Sequence, residues 1–122
     1  MDEVIAILIQ DEVLKRLGIK IYHESERPSI QECLVYDFYN IQDNGIKAID
    51  TLNITCIAFD LDKSLAIIEQ VKRLLITIGD NPLTNKIIKV VQNGGGYISN
   101  KMPSQTTHHQ KATFNITRRV NR

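Results

Sequence analysis

The order of its elements constrains this chain more than any single motif. An Asn44-Gly45 pair separates two alternating segments, which is a hairpin signal. One long amphipathic helix follows over residues 62–79, and then come strand-like segments joined by polar, glycine-rich stretches. In that helix Leu65, Ile68, Val71, Leu75 and Ile78 form one apolar stripe. Asp62 is its expected cap, Gly79 its stop, and Pro82 blocks resumption. Residues 2–17 read as a first helix with Ile5, Leu8, Ile9, Val13 and Leu17 near helical spacing, ended by Gly18. Residues 19–23 alternate as a short strand, and 24–31 are a polar loop containing Pro28.

The strongest strand candidates are residues 33–39 and 48–59. A two-residue turn at Asn44-Gly45 places Cys33 directly opposite Cys56. Cys33, Val35 and Tyr39 then share a core-like face with Leu52, Ile54 and Cys56. Tyr36 and Phe38 lie on the other face, opposite Asn53 and Thr51, as exposed aromatic rims. The tip, with Asn40, Gln42, Asp43 and Lys47, is polar and is expected to project from the body. Residues 86–91 read as a strand that Asn93 and Gly94-Gly95-Gly96 break sharply. A short strand at 97–99 and a polar, aperiodic loop over 100–110 follow. Ala112, Phe114 and Ile116 alternate with Thr113, Asn115 and Thr117 as a final half-buried strand. The expectation is one α+β domain over residues 1–122, an antiparallel or mixed sheet with two main helices packed on one face and a projecting hairpin.

Composition narrows what such a domain does. Trp is absent and aromatics are 6%, so the core rests on Ile, Leu and Val. Fifteen basic against 14 acidic side chains leave a net charge of +1, which argues against a dedicated nucleic-acid binder. The C-terminal end is nonetheless basic: Lys101, Lys111, Arg118, Arg119 and Arg122 occur there with no Asp or Glu. The two cysteines make no disulfide scaffold and read as reduced core thiols of a cytosolic protein. The apolar stretch at residues 4–9 is too short for a signal peptide or a membrane span.

Each candidate for chemistry has a plainer explanation. His108 and His109 are adjacent, have no Cys, Asp or Glu nearby to complete a metal shell, and read as exposed loop residues. Asp60 and Asp62 stand at a strand-to-helix junction, where carboxylates cap helices. The three glycines are followed by Tyr97-Ile98-Ser99 and not by the helix that a phosphate cradle opens. No serine or cysteine has an identifiable base. The chain is expected to have no catalytic residue, no metal ligand and no cofactor, and to work through its surfaces.

In layout the chain resembles the tail terminator, or tail completion, family of long-tailed bacteriophages and tail-like particles. The resemblance runs from the first helix and the strand at 19–23, through the strand pair 34–39 and 48–59 and the helix 62–79. It ends on a polar variable loop around 93–110 and a terminal strand, 111–120. Members share an alternating strand, an Asp-rich entry and a helix with an apolar stripe, here residues 54–75. They often carry a proline directly before the strand at Leu34, where this chain has Glu32-Cys33. The resemblance implies a ring, most often a hexamer, that caps the finished tail tube, stops its polymerisation and offers the surface that joins the head. It implies a place in the virion tail, assembled in the host bacterial cytoplasm, with the tail tube protein and a head-completion or connector protein as partners. DNA would pass through the opening without sequence-specific contact, and no membrane is involved. A ring subunit needs complementary faces. The candidate interface residues are Tyr36, Phe38, Asp43, Asn44, Lys47, Tyr97, Lys101, Arg118 and Arg119. The Gly-, Ser- and Thr-rich stretch before the last strand is expected to order on contact with the tube. A head-closure or connector subunit is the neighbouring reading. A small nucleic-acid-binding domain using the basic C-terminus is the reading from another class.

Overall fold

The computed structural model describes residues 2–26, 31–78, 81–101 and 105–120. Pro28, Gly79, Arg122 and residues 102–104 of the expected polar loop lie outside the described residues.

The N-terminal segment forms two helices where one was expected: α1 (Asp2–Gln10) and α2 (Glu12–Arg16). Asp11 causes the break. Its backbone is extended (ψ 128°), and its carboxylate accepts from the Leu14 amide at 3.0 Å as the cap of α2. The same carboxylate accepts from the Gln70 amide nitrogen and ties the break to the long helix. The break also rotates the buried face. Val4, Ile5, Leu8 and Leu14 are in the core, whereas Ile9 and Val13, expected inside, are exposed. Gly18 ends α2 as expected. At φ +70° its amide donates to Lys15 and that of Ile19 to Leu14, which satisfies two terminal carbonyls.

Next come β1 (Lys20–His23), a 3-10 turn (Glu24–Glu26), β2 (Cys33–Asp43), β3 (Lys47–Ala58), α3 (Leu61–Leu75), β4 (Ile87–Lys101) and β5 (Thr106–Arg119). The strands form one sheet in the order β1-β2-β3-β5-β4, with β1 parallel to β2 and the other pairs antiparallel. The fold is thus α+β on a mixed sheet, as the pattern indicated.

The hairpin register differs from the expected one by a single residue. Asn44 donates its amide to the Lys47 carbonyl, and its side-chain oxygen accepts from the Ile46 and Lys47 amides. Gly45 supplies the positive φ of +87°. This turn sets Asp43 opposite Ala48, and a bulge at Ile41 returns one residue, so Cys33 faces Ile57 and Leu34 faces Cys56. A one-residue slip inverts the faces. Leu34, Tyr36 and Phe38 therefore join Leu52, Ile54 and Cys56 on the helix side, and Cys33 and Val35 join Ile57 on the other. The two cysteines do not face each other; both are buried, and burial, with lesser help from Cys33, pushes the Cys56 thiol up to about 12.

The glycine run does not break β4. The strand continues for 15 residues, with bulges between Ile87 and Lys89 and between Gln92 and Gly94. Gly94 takes φ +151° there, and its carbonyl accepts from the Gln92 side chain. A Cβ on Gly95 would stand 2.9 Å from the Lys111 carbonyl oxygen, so glycine is what lets β4 pass β5 this closely. Its partner β5 begins at Thr106, five residues before the expected strand. Of the expected loop over 100–110, residues 100–101 and 106–110 are thus hydrogen-bonded strand, including His108 and His109.

Helix α3 packs across β3 and β5, with α1 and α2 beside it on the same face. Its cap is Asp60, whose carboxylate accepts from the Lys63 amide, and not Asp62. Starting earlier, it buries Ser64, Ile67, Ile68, Val71 and Leu75, leaves Leu65 outside, and ends before Ile78, which is exposed. These side chains meet Leu34, Leu52, Ile54, Ala112, Phe114 and Ile116 in one core. Glu32 locks the start of β2 to the helix entry, accepting from the Phe59 amide at 2.9 Å and the Lys63 ammonium at 2.7 Å. Burial alone would raise its carboxyl, but those bonds and the Lys63 charge hold it below the ordinary value. This clamp therefore acts above the usual carboxylate range and is lost as pH falls through the lowered pKa.

Ile68 and Leu65 separate this packing from the expected one. Ile68→Ala should cost about 2–5 kcal/mol in denaturant titration, and Leu65→Ala less than about 1 kcal/mol. Equal losses would place the helix on a different face.

Candidate interaction surfaces

Seven of the nine candidate residues fall toward two opposite ends of the sheet, and Tyr36 and Phe38 lie between them on β2. Asp43, Asn44 and Lys47 stand at the tip of the β2–β3 hairpin. Strand β5 brings Arg118 and Arg119 there by pairing Ala48 with Arg118 and Lys47 with Arg119. The Val120 amide donates to the Ile46 carbonyl and fixes the C-terminal end of β5 to this tip. Tyr97 and Lys101 lie far from it, on β4.

The basic pair at the hairpin end is not a solvated tail. The Arg118 guanidinium donates through Nε to the Asp50 carboxylate at 2.6 Å, and the Asn40 side chain donates to the other oxygen at 2.9 Å. Asp50 is only 4% exposed. The hydrogen bond holds the Arg118 guanidinium above its ordinary pKa against the opposing effect of burial, with the carboxylates of Asp50 and Asp43 adding to it. Asp50, Arg118 and Asn40 thus link β2, β3 and β5 at the base of the hairpin. Arg118 is a structural residue first; Arg119 beside it is exposed.

The aromatic residues are placed differently from the expected rims. Tyr36 is half-buried on the helix side, edge-on to the His23 ring at 5.2 Å. Phe38, on the same side but past the helices, is 45% exposed. The tip is also less polar than its sequence suggested, since Tyr39, Ile41 and Ile46 are exposed with it. The inverted register and the bulge are what turn these side chains outward, and neither has a signal in hydrophobic periodicity.

At the other end, the Tyr97 ring stacks on His108 at 6.0 Å and its hydroxyl is 2.7 Å from Nδ1. Successive strand positions send His109 to the opposite face, where its Nε2 is 3.0 Å from the Thr107 hydroxyl. Among the described residues no group of three His, Cys, Asp or Glu side chains is arranged to hold a metal ion. Ile98, beside Tyr97, is 70% exposed.

The sheet face away from the helices is covered by no other described element and is polar. Asn53 donates to Asp37 at 2.9 Å and accepts from Thr113 at 2.8 Å, so a hydrogen-bonded row crosses β2, β3 and β5. Beside it lies an open depression of about 500 Å³ lined by Val35, Asp37, Asn53, Thr55, His109 and Lys111, among others. Only Cys33, Val35 and Ile57, with Tyr22 against them, form a small apolar cluster on this side. No described helix is long and apolar enough to cross a membrane.

The Asp50 clamp gives a stability test. Asp50→Ala should cost about 2–3 kcal/mol, because it leaves Arg118 and Asn40 without their acceptor, while Arg119→Ala should change stability by less than about 0.5 kcal/mol. Thermal unfolding of the two variants measures both.

The sequence matches no protein-family model and no curated protein. Among solved structures it is similar in fold to a chain in the virion of the native gene transfer agent (GTA) particle. The TM-score is 0.67 at 16% identity, over 96% of this chain and 92% of that one. The likeness covers the whole domain, helices and sheet together.

Proposed function

We propose that this chain is a structural protein of a phage-type virion, and within it the tail terminator. It would form a ring, most simply of six copies, on the end of the tail tube. That ring would stop tube polymerisation and offer the surface to which the head is joined. The observation that carries this reading is the end-to-end fold likeness to a chain of a virion particle, which leaves almost no part of either chain over. The layout resemblance to tail terminators points the same way independently of that match.

The surfaces support a protein that acts by assembly rather than by catalysis. Phe38, Tyr39, Ile41 and Ile46 of the hairpin and Val91, Tyr97 and Ile98 of β4 are exposed apolar side chains, and no nucleophile–base pair lies among them. The raised Cys56 thiol is neutral at physiological pH and fully buried. The partners under this proposal are further copies of the chain, the tail tube protein and a head-completion or connector protein. DNA would pass through the lumen held by no base-specific contact. With Arg118 committed to Asp50, the basic C-terminal end offers less charge to nucleic acid than its sequence suggests.

Tail length in a producing strain that lacks this protein is the direct test. Overlong or headless tails are expected. Tails of normal length that carry no heads would move the chain to the head-closure reading, and normal tails attached to heads would overturn both.

A further inference from the structure

The sheet has two open edges, and they differ in charge and in position. On one side, β1 covers β2 only from Cys33 to Tyr36. From Asp37 to Asp43 no strand among the described residues pairs with the outer side of β2. On the other side, Thr77, Leu83 and Thr84 cover the first part of β4: Leu83 and Thr84 donate amides to the Ile87 carbonyl, and Thr77 both donates to and accepts from the Val90 backbone. Beyond Val90 the outer side of β4 has no strand partner among the described residues, and residues 91–99 are all exposed.

A long open edge normally carries a lysine or proline in its middle to prevent pairing with another chain. Residues 91–100 contain no charged residue and no proline. One bulge interrupts the stretch at its start, and from Gly94 to Lys101 the register with β5 is continuous. The exposed side chains on this edge include Tyr97 and Ile98; those on the β2 edge are Phe38, Tyr39 and Ile41. The charges are complementary: β2 carries only acids, Asp37 and Asp43, and β4 only bases, Lys101 at the end of its open part and Lys89 just before that part begins.

We infer that the open edge of β4 takes the open edge of β2 from a second copy of this chain, head to tail, so that the sheets of neighbouring subunits run on into one another. This rests on the ring reading and deepens it by naming the interface. Pairing β4 with β4 or β2 with β2 would set like charges together, which disfavours a two-fold dimer. The bulge at Ile41 confines backbone pairing on β2 to a short run before it, and the aromatic and aliphatic side chains supply most of the buried area. A head-to-tail contact makes a closed ring when its rotation closes. The geometry suits closure. Asn40 is level with Val90 across the sheet, while the open part of β4 centres near Gly96. Val90 faces Ile116 and Gly96 faces Lys111, so that stagger is about five ladder positions or ~17 Å, and the four strand spacings from one subunit to the next are ~19 Å. Strands inclined by about 40° to the ring axis satisfy both, within the tilt range of closed barrels.

Cross-linking of the full chain at high concentration tests this. Ile41→Cys and Ile98→Cys, each at an exposed position, are made singly and together; wild-type Cys33 and Cys56 are buried and give the background. With a short bis-maleimide, a mixture of the two single variants should give dimers, each variant alone only background, and the double variant a ladder ending at one closed species. Adding Ile98→Lys to the Ile41→Cys chain, mixed with a chain whose only change is Val91→Cys, should reduce the yield only slightly, because that partner keeps its own β4 edge. Placing Ile98→Lys on the Val91→Cys chain should abolish it. Dimers from Ile98→Cys alone as abundant as in the mixture, or no dimers in any mixture, would overturn the edge pairing. If the pairing fails while a strain lacking the protein still makes overlong tails, the termination reading stands on another interface. If the pairing holds while tails stay normal, self-assembly stands without the termination role.

Discussion

The ladder between β3 and β5 is the constraint on which the remaining structure depends. It runs unbroken from Lys47 opposite Arg119 to Ala58 opposite His108, with no bulge in either strand. Every second pair sends Leu52, Ile54, Ala112, Phe114 and Ile116 under α3, and the pairs between them build the polar row of the open face. Both hairpins hang on this ladder. β2 bonds to its one side and β4 to the other, and each carries the bulges that β3 and β5 lack. Regular pairing in the middle and irregular pairing at the flanks give a rigid body with adjustable edges.

Charge reinforces the same division. The Asp50–Arg118 pair spans the ladder at the hairpin end, and Asn40 extends it to β2. The Glu32–Lys63 pair ties the opposite end of β2 to the start of α3. Each is a partly shielded ion pair with added hydrogen bonds, the geometry in which such pairs hold position rather than merely decorate a surface. Between them they fix how the projecting hairpin leaves the body.

Much of this was legible in the sequence, and the failures have a common cause. The apolar stripe of α3, the Gly18 stop and the alternation of Ala112, Phe114 and Ile116 all report burial against another element, and burial is what periodicity encodes. What it does not encode is structure held by backbone pairing alone. Residues 106–111 have no apolar alternation because the face they present past the helices needs none, so they read as loop although they pair with β3 and β4. Gly94, Gly95 and Gly96 read as a break, but serve close passage of one strand by another. The hairpin register turned on a side-chain decision at Asn44 and a bulge at Ile41, and that single residue exchanged the faces of Tyr36, Phe38 and both cysteines. The interface candidates inherited that exchange. Asp43, Lys47 and Arg119 are at the surface, Arg118 is held inside an ion pair, and Tyr39, Ile41, Ile46 and Ile98, which were not among the candidates, are exposed apolar side chains.

We propose a molecule that works as a rigid sheet, through its edges and projecting tip, at one place in a virion. Electron microscopy of intact particles carrying a label on this chain measures position directly. One ring of label is expected at the head-proximal end of the tail tube, with none along its length. Label distributed along the tube, or confined to the head, would contradict it.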